Sequence, residues 1–183
     1  ETFIATRNGR IETREVNQTT DTSRVVGSST QQGAFIGGDG GDGGDGDGDP
    51  LAQSFKVTRS GGEFITKIDV YFATKDESLP VTLQLREMVN GYPTRKVIPG
   101  GSATLEADKI VTSTGATIAS TFEFDYPVYI DEGQEVSMVL MTDSESYTAW
   151  ISRMGDKDVD GVRQISKQPN LGVLFKSQNN STW

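Results

Sequence analysis

Between Gly37 and Pro50 the chain reads Gly-Gly-Asp-Gly-Gly-Asp-Gly-Gly-Asp-Gly-Asp-Gly-Asp-Pro. Glycine loses more conformational entropy on ordering than any other residue, and Asp39, Asp42, Asp45, Asp47 and Asp49 repel one another, so this run does not fold alone. It divides the 183 residues into three parts. Residues 1–36 form an extended polar arm, thin in apolar side chains and rich in Thr, Ser, Asn, Gln and Arg. Residues 37–50 are a flexible acidic tether. Residues 51–183 carry regular apolar patterning and are numerous enough to bury a core. Opening on Glu1 and closing on Trp183, the sequence reads as a piece of something longer.

Charge and missing residue types narrow the function classes. A net charge of −9 and a pI near 4.5 argue against a nucleic-acid surface, because phosphate contacts need clustered Lys and Arg. No apolar stretch approaches the ~18 residues of a membrane span, so no membrane insertion is expected, and the N-terminus lacks the layout of a signal peptide. Cysteine and histidine are both absent. That removes disulfides, thiol nucleophiles, Cys/His zinc sites and every Ser-His-Asp arrangement, leaving carboxylate, Lys, Tyr or hard-metal chemistry. The expectation is a protein that is not an enzyme and carries no cofactor.

The patterning after the tether is that of strands. In the run from Phe64 to Phe72, Ile68, Val70 and Phe72 alternate with Lys67, Asp69 and Tyr71, the period of two of a half-buried strand. Val81, Leu83 and Leu85 alternate with Thr82, Gln84 and Arg86. Phe122, Phe124, Tyr126, Val128 and Ile130 alternate with Glu123 and Asp125, and Pro127 within that run predicts an edge, a bulge or a switch between sheets. Gln134 to Thr142 is apolar on both faces, as a central sandwich strand is. Tyr147 to Ile151 and Leu171 to Phe175 suggest two further short strands. Turn residues stand between the runs at Ser60-Gly61-Gly62, Asn90-Gly91-Tyr92-Pro93, Pro99-Gly100-Gly101, Ser113-Thr114-Gly115 and Asp131-Glu132-Gly133, mostly at hairpin-like spacing. Ala103 to Lys109 suggests at most one helical turn. Together these features predict an all-β fold, a two-layer antiparallel β-sandwich of jelly-roll type.

The residues also resemble a known family. Asp49-Pro50-Leu51-Ala52-Gln53-Ser54-Phe55, Gly62 through Phe72, Val81 through Arg86, Asn90 through Pro93, Pro127 through Ile130 and Ser166 through Gly172 are similar to a module repeated in large structural proteins of contractile-tailed (T4-like) bacteriophages, particularly those infecting cyanobacteria. The closing block, Leu174-Phe175-Lys176-Ser177-Gln178-Asn179-Asn180-Ser181-Thr182-Trp183, is its most specific part. The resemblance covers nearly all of the chain after the tether, and the tether itself departs from the pattern. It implies a virion component of the tail or baseplate, structural in role, with other virion proteins as partners and homo-oligomerisation through the symmetry of tails. It supplies no catalytic residues.

Several residues invite sharper readings. The tether aspartates could supply oxygen ligands to calcium, but the large apolar residue that packs calcium-binding β-roll repeats is missing, which favours a solvated linker. Asp156, Asp158 and Asp160, followed by Gly161, have the spacing of the first half of an EF-hand loop, and Lys167 stands where the closing glutamate belongs, so a solvated acidic turn competes with a calcium site. Trp150, Tyr147, Tyr92 and Tyr71 could form a sugar-stacking platform, with at most one of Tyr147 and Trp150 on any one surface if the strand Tyr147 to Ile151 is extended, although aromatic rings more often complete a core. The sequons at Asn17 and Asn180 matter only in a eukaryotic secretory pathway, for which nothing here argues. Glu132 and Glu135 are weak catalytic candidates. Trp183 is expected to dock on the domain or on a neighbouring segment rather than to bind ligand.

The reading reached is a non-enzymatic virion structural module acting by protein–protein packing, its arm docking on a neighbour by adding to a sheet edge. The alternative is a carbohydrate-binding β-sandwich that contacts a host-surface glycan. A polysaccharide hydrolase built on two carboxylates is a third possibility, and it requires a separation that sequence does not give.

Overall fold

The computed structural model describes residues 3–5, 11–12, 34–35, 50–152, 155–157, 161–166, 172–177 and 183, the first three stretches by their backbone. The strands are β1 (Phe3–Ala5), β2 (Ile11–Glu12), β3 (Ala34–Phe35), β4 (Leu51–Lys56), β5 (Glu63–Val70), β6 (Phe72–Thr74), β7 (Val81–Val89), β8 (Tyr92–Leu105), β9 (Ser120–Ile130), β10 (Glu135–Met141), β11 (Thr148–Ala149) and β12 (Leu174–Lys176). Among the described residues the helical content is one 3-10 turn, Ala107–Lys109, with Ala103–Leu105 belonging to β8 instead. The tether before Pro50 lies outside the described residues.

The fold is an all-β sandwich. One layer is the five-stranded sheet β12-β4-β10-β7-β8, antiparallel throughout. The other is made of β2-β1-β5-β9 and β3-β11-β6, joined where β5 runs on through Tyr71 into β6. Inward-facing side chains meet between the layers: Leu51, Phe55, Leu83, Leu85, Val136 and Leu140 from the first, Ile65, Ile68, Phe72, Phe122, Val128 and Ile130 from the second, all buried. β10 is buried along both faces, as its uninterrupted apolar run predicts.

The turns are used differently from the expectation of hairpins. Asn90-Gly91 is a true hairpin turn between β7 and β8, with φ of 53° and 81°, the left-handed pair that a two-residue turn of primed type requires. Ser60-Gly61-Gly62 and Asp131-Glu132-Gly133 instead carry the chain from one layer to the other, between β4 and β5 and between β9 and β10. The two crossings are tied together: the Gly61 N–H donates to Glu132 Oε2 (3.1 Å), Tyr129 Oη donates to the Gly61 carbonyl (2.9 Å), and the Gly133 N–H donates to the Val57 carbonyl (2.7 Å).

Pro99-Gly100-Gly101, read as a turn, is a bulge inside β8. Arg86 pairs with Val97 and Gln84 with Ser102, so the one residue between them on β7, Leu85, opposes four on β8. β9 bulges in the same way: Ile65 pairs with Val128 and Lys67 with Glu123. Pro127 lies in this bulge, on the outermost strand of its sheet. The insertion also overturns one expectation, since Tyr126, assigned to the apolar face by simple alternation, is 76% exposed. On β5 the matching irregularity lets both Ile65 and Ile68 face inward.

At the bulge in β8, a Cβ on Gly101 would lie 2.8 Å from Leu85 Cβ and 3.0 Å from the Ile98 carbonyl. Gly101→Ala is therefore expected to destabilise the domain by about 1–3 kcal/mol in urea unfolding, the usual range for overpacking.

Candidate functional site

Of the four aromatics proposed from sequence, Tyr71 and Trp150 come together. Tyr71 occupies the step between β5 and β6, and Trp150 follows β11 directly. The Trp150 N–H donates to the Tyr71 carbonyl (2.8 Å), extending the β6–β11 ladder, and its indole Nε1 donates to the Ser113 carbonyl (2.8 Å). Both rings line a cleft where the layers part, with Gln53, Met138, Leu140 and Leu174 opposite. The cleft is small, about 40 Å³, room for a few waters.

Tyr92 lies elsewhere. It sits at the tip of the β7–β8 hairpin, and its ring packs against Phe175 of β12 with centroids 6.1 Å apart. Because β8 and β12 are opposite ends of a five-stranded sheet, the hairpin tip must curl over the outer face to make this contact. Tyr147, which the sequence placed beside Trp150 on a further strand, is fully buried. Its ring meets Phe72 edge-on at 5.8 Å and its hydroxyl donates to the Leu79 carbonyl (2.6 Å).

The carboxylate candidates are spread out. Asp156 belongs to a small loop in which its carbonyl accepts from the Ile165 N–H (2.8 Å), while Asp158 and Asp160 lie outside the described residues. Glu132 is engaged with Gly61, and Glu135 opens β10 opposite Lys56. Among the described residues no three Asp or Glu side chains converge on a point where a metal ion would sit, and no helix is long and apolar enough to cross a membrane. Trp183 is partly buried, and its indole nitrogen is enclosed.

Two features escaped the sequence reading. The first is an outward aromatic surface on the β5–β9 sheet, where Phe64 and Tyr129 pair across the strands with ring centroids 5.1 Å apart, 55% and 45% exposed. Tyr126 adds to the exposed aromatics of β9, and Glu123 and Asp125 beside it are exposed too. The signal was present in the positions between the apolar ones, which alternation assigns to solvent whatever their chemistry.

The second is the role of Asp76 as a junction between the β6–β7 and β10–β11 loops. Its Oδ1 accepts from the Ser78 N–H (2.7 Å), the Leu79 N–H (3.0 Å) and Ser78 Oγ (3.1 Å), and its Oδ2 accepts from Ser144 Oγ (2.6 Å). Four donors on one carboxylate, Ser144 foremost, hold its pKa far below the ordinary 3.8. Burial, and next the Asp76 charge, push the Tyr147 hydroxyl upwards in turn.

Compared with protein-family models, curated proteins and solved structures, the chain matches none.

A depressed carboxylate pKa stabilises the folded chain fully above its unfolded value and ceases to do so as pH falls through the folded one. Asp76 should thus contribute at neutral pH and lose that contribution progressively below about pH 4. Urea midpoints measured between neutral pH and strong acid are expected to separate wild type from Asp76→Asn at neutral pH and to bring them together in acid. Equal midpoints at neutral pH would remove Asp76 from the loop junction.

Proposed function

We propose that this chain is a structural module of a virion, in the tail or baseplate, that works by packing against other proteins and carries out no catalysis. The observation that carries this reading is the disposition of the aromatic residues. The Trp150 indole N–H and the Tyr147 hydroxyl are taken up by backbone carbonyls inside the domain. The cleft beside Trp150 has room for a few waters only. Of the aromatic side chains left to solvent, Phe64 and Tyr129 pair on the outer face of the β5–β9 sheet, Tyr126 stands in the β9 bulge, and Tyr92 is at the β7–β8 hairpin tip. Aromatics on such a face suit the core of a protein–protein interface, where they are enriched relative to other surface. The similarity of the sequence to tail modules of contractile-tailed phages supplies the expected location.

Two measurements test this together. Mass spectrometry of purified contractile-tailed particles that encode the chain should find it at fixed stoichiometry with tail components. The whole chain should give no saturable signal on a glycan array, with calcium or with chelator. Saturable binding to one glycan class would replace packing with host-surface attachment, and loss of that binding in chelator would bring calcium and the acidic clusters into it.

A further inference from the structure

The arm does not stand apart from the domain. β1 adds to the open side of β5 in parallel, Phe3 opposite Ile68 and Ile4 opposite Asp69, and β2 pairs antiparallel with β1. β3 adds to β11, Phe35 opposite Thr148 and Ala34 opposite Ala149. Two sheet edges of the sandwich are thus completed by strands that enter from a separate stretch of chain.

We propose that these strands are exchangeable, and that in an assembly the arm of one copy completes the β5 and β11 edges of a second copy of this chain. The inference stands on the strand pairing and goes beyond the packing role. No local connection fixes which copy donates. A parallel pair cannot be closed by a tight turn, and β1 and β5 are separated by some 57 residues, from Ala5 to Glu63. Each junction with the domain is short, two register pairs at β5 and two at β11, so its release costs little.

The tether allows both arrangements. The 14 residues from Ile36 to Asp49 can span at most about 50 Å. A domain of this size has a radius of gyration of about 14 Å, so either its own edges or those of a touching neighbour come within range. Linked in cis, the arm competes at an effective concentration of about millimolar, which neighbours in a packed assembly match.

The absence of cysteine gives a clean test. Full-length Ile4→Cys is mixed with full-length Asp69→Cys of distinguishable mass, from micromolar to millimolar concentration, and trapped with a short bis-maleimide. Ile4→Cys mixed with Asp108→Cys, an exposed position on the 3-10 turn, serves as the control. The expected result is a mixed dimer of the first pair that rises with concentration and exceeds the control by about tenfold, as exchange at millimolar effective concentration requires. A yield equal to the control at every concentration, with the Ile4→Cys/Asp69→Cys double variant linking only within one chain, would overturn the exchange. Failure of the double variant to link at all would overturn the strand pairing on which it rests. Neither outcome depends on where in a virion the protein resides.

Discussion

The burial of β10 on both faces is the constraint from which the rest of this architecture follows. Val136, Met138 and Leu140 point between the layers, while Ser137 and Val139 point the other way and are just as inaccessible. Burying side chains of this kind stabilises by about 1.5–3 kcal/mol each, but only if the strand has partners on both sides and cover on both faces. β4 and β7 supply the partners, each over six register pairs. The second layer covers the inner face. On the outer face Phe175 meets the curled hairpin tip at Tyr92, and beside it the β12–β4 pairing runs on through Val173, where the Ser54 N–H donates to the Val173 carbonyl (2.9 Å) and Ser54 Oγ accepts from the Val173 N–H (2.9 Å). Gly172 is needed in this cover because a Cβ there would strike the Ser54 carbonyl. Arg86 is buried on this face as well, its guanidinium reaching Gln84 Oε1 (2.7 Å) and Met141 Sδ (2.9 Å).

How much of this could be read from the sequence follows from how periodicity works. β7, β9 and β10 were legible because long strands with one or two buried faces leave an unbroken alternation or an unbroken apolar run. The Asn90-Gly91 turn was legible because its residues are those that tolerate left-handed backbone. β8 was not. Its 14 residues contain Pro93, Pro99, Gly100 and Gly101, the same residues that mark turns, and a bulge uses them for the same backbone reasons. The identical ambiguity sent Tyr126 to the wrong face, since an insertion within a strand changes parity without leaving a mark in composition. Layer crossings and hairpins likewise employ the same glycines, so the turns could be placed while the connections they make could not.

The candidate site divides along similar lines. Tyr71 and Trp150 share a cleft because β6 and β11 are paired, a long-range fact that no local pattern encodes. Tyr92 is drawn away by the same curl that covers β10. Asp76 was passed over because a lone carboxylate in Lys-Asp-Glu-Ser-Leu looks like any solvated turn, and its distinction comes from Ser144, 68 residues further on. The Phe64–Tyr129 pair is the reverse case: both residues were on view in the alternation, yet counting apolar positions for the core discards the aromatics that fall between them.

The edges of the sandwich explain why an arm is needed at all. An exposed strand edge is a template for unwanted pairing, and proteins blunt it with proline, charge, bulges or short strands. The outermost strands of the domain carry such devices: β9 has its bulge and Pro127, and β8 has Pro93, Arg95, Lys96, Pro99 and a bulge of its own, with Lys96 held at 2.7 Å by Glu87. β12 is only three residues long. β5 is different. It offers eight residues, Glu-Phe-Ile-Thr-Lys-Ile-Asp-Val, without proline or glycine, and its side away from β9 would be an open ladder without β1. A long strand with neither proline nor glycine, though it carries Glu63, Lys67 and Asp69, is the one that receives a strand from elsewhere. Leaving that edge competent for pairing, and closing it with a segment on a long charged tether, makes it an edge suited to receive a strand.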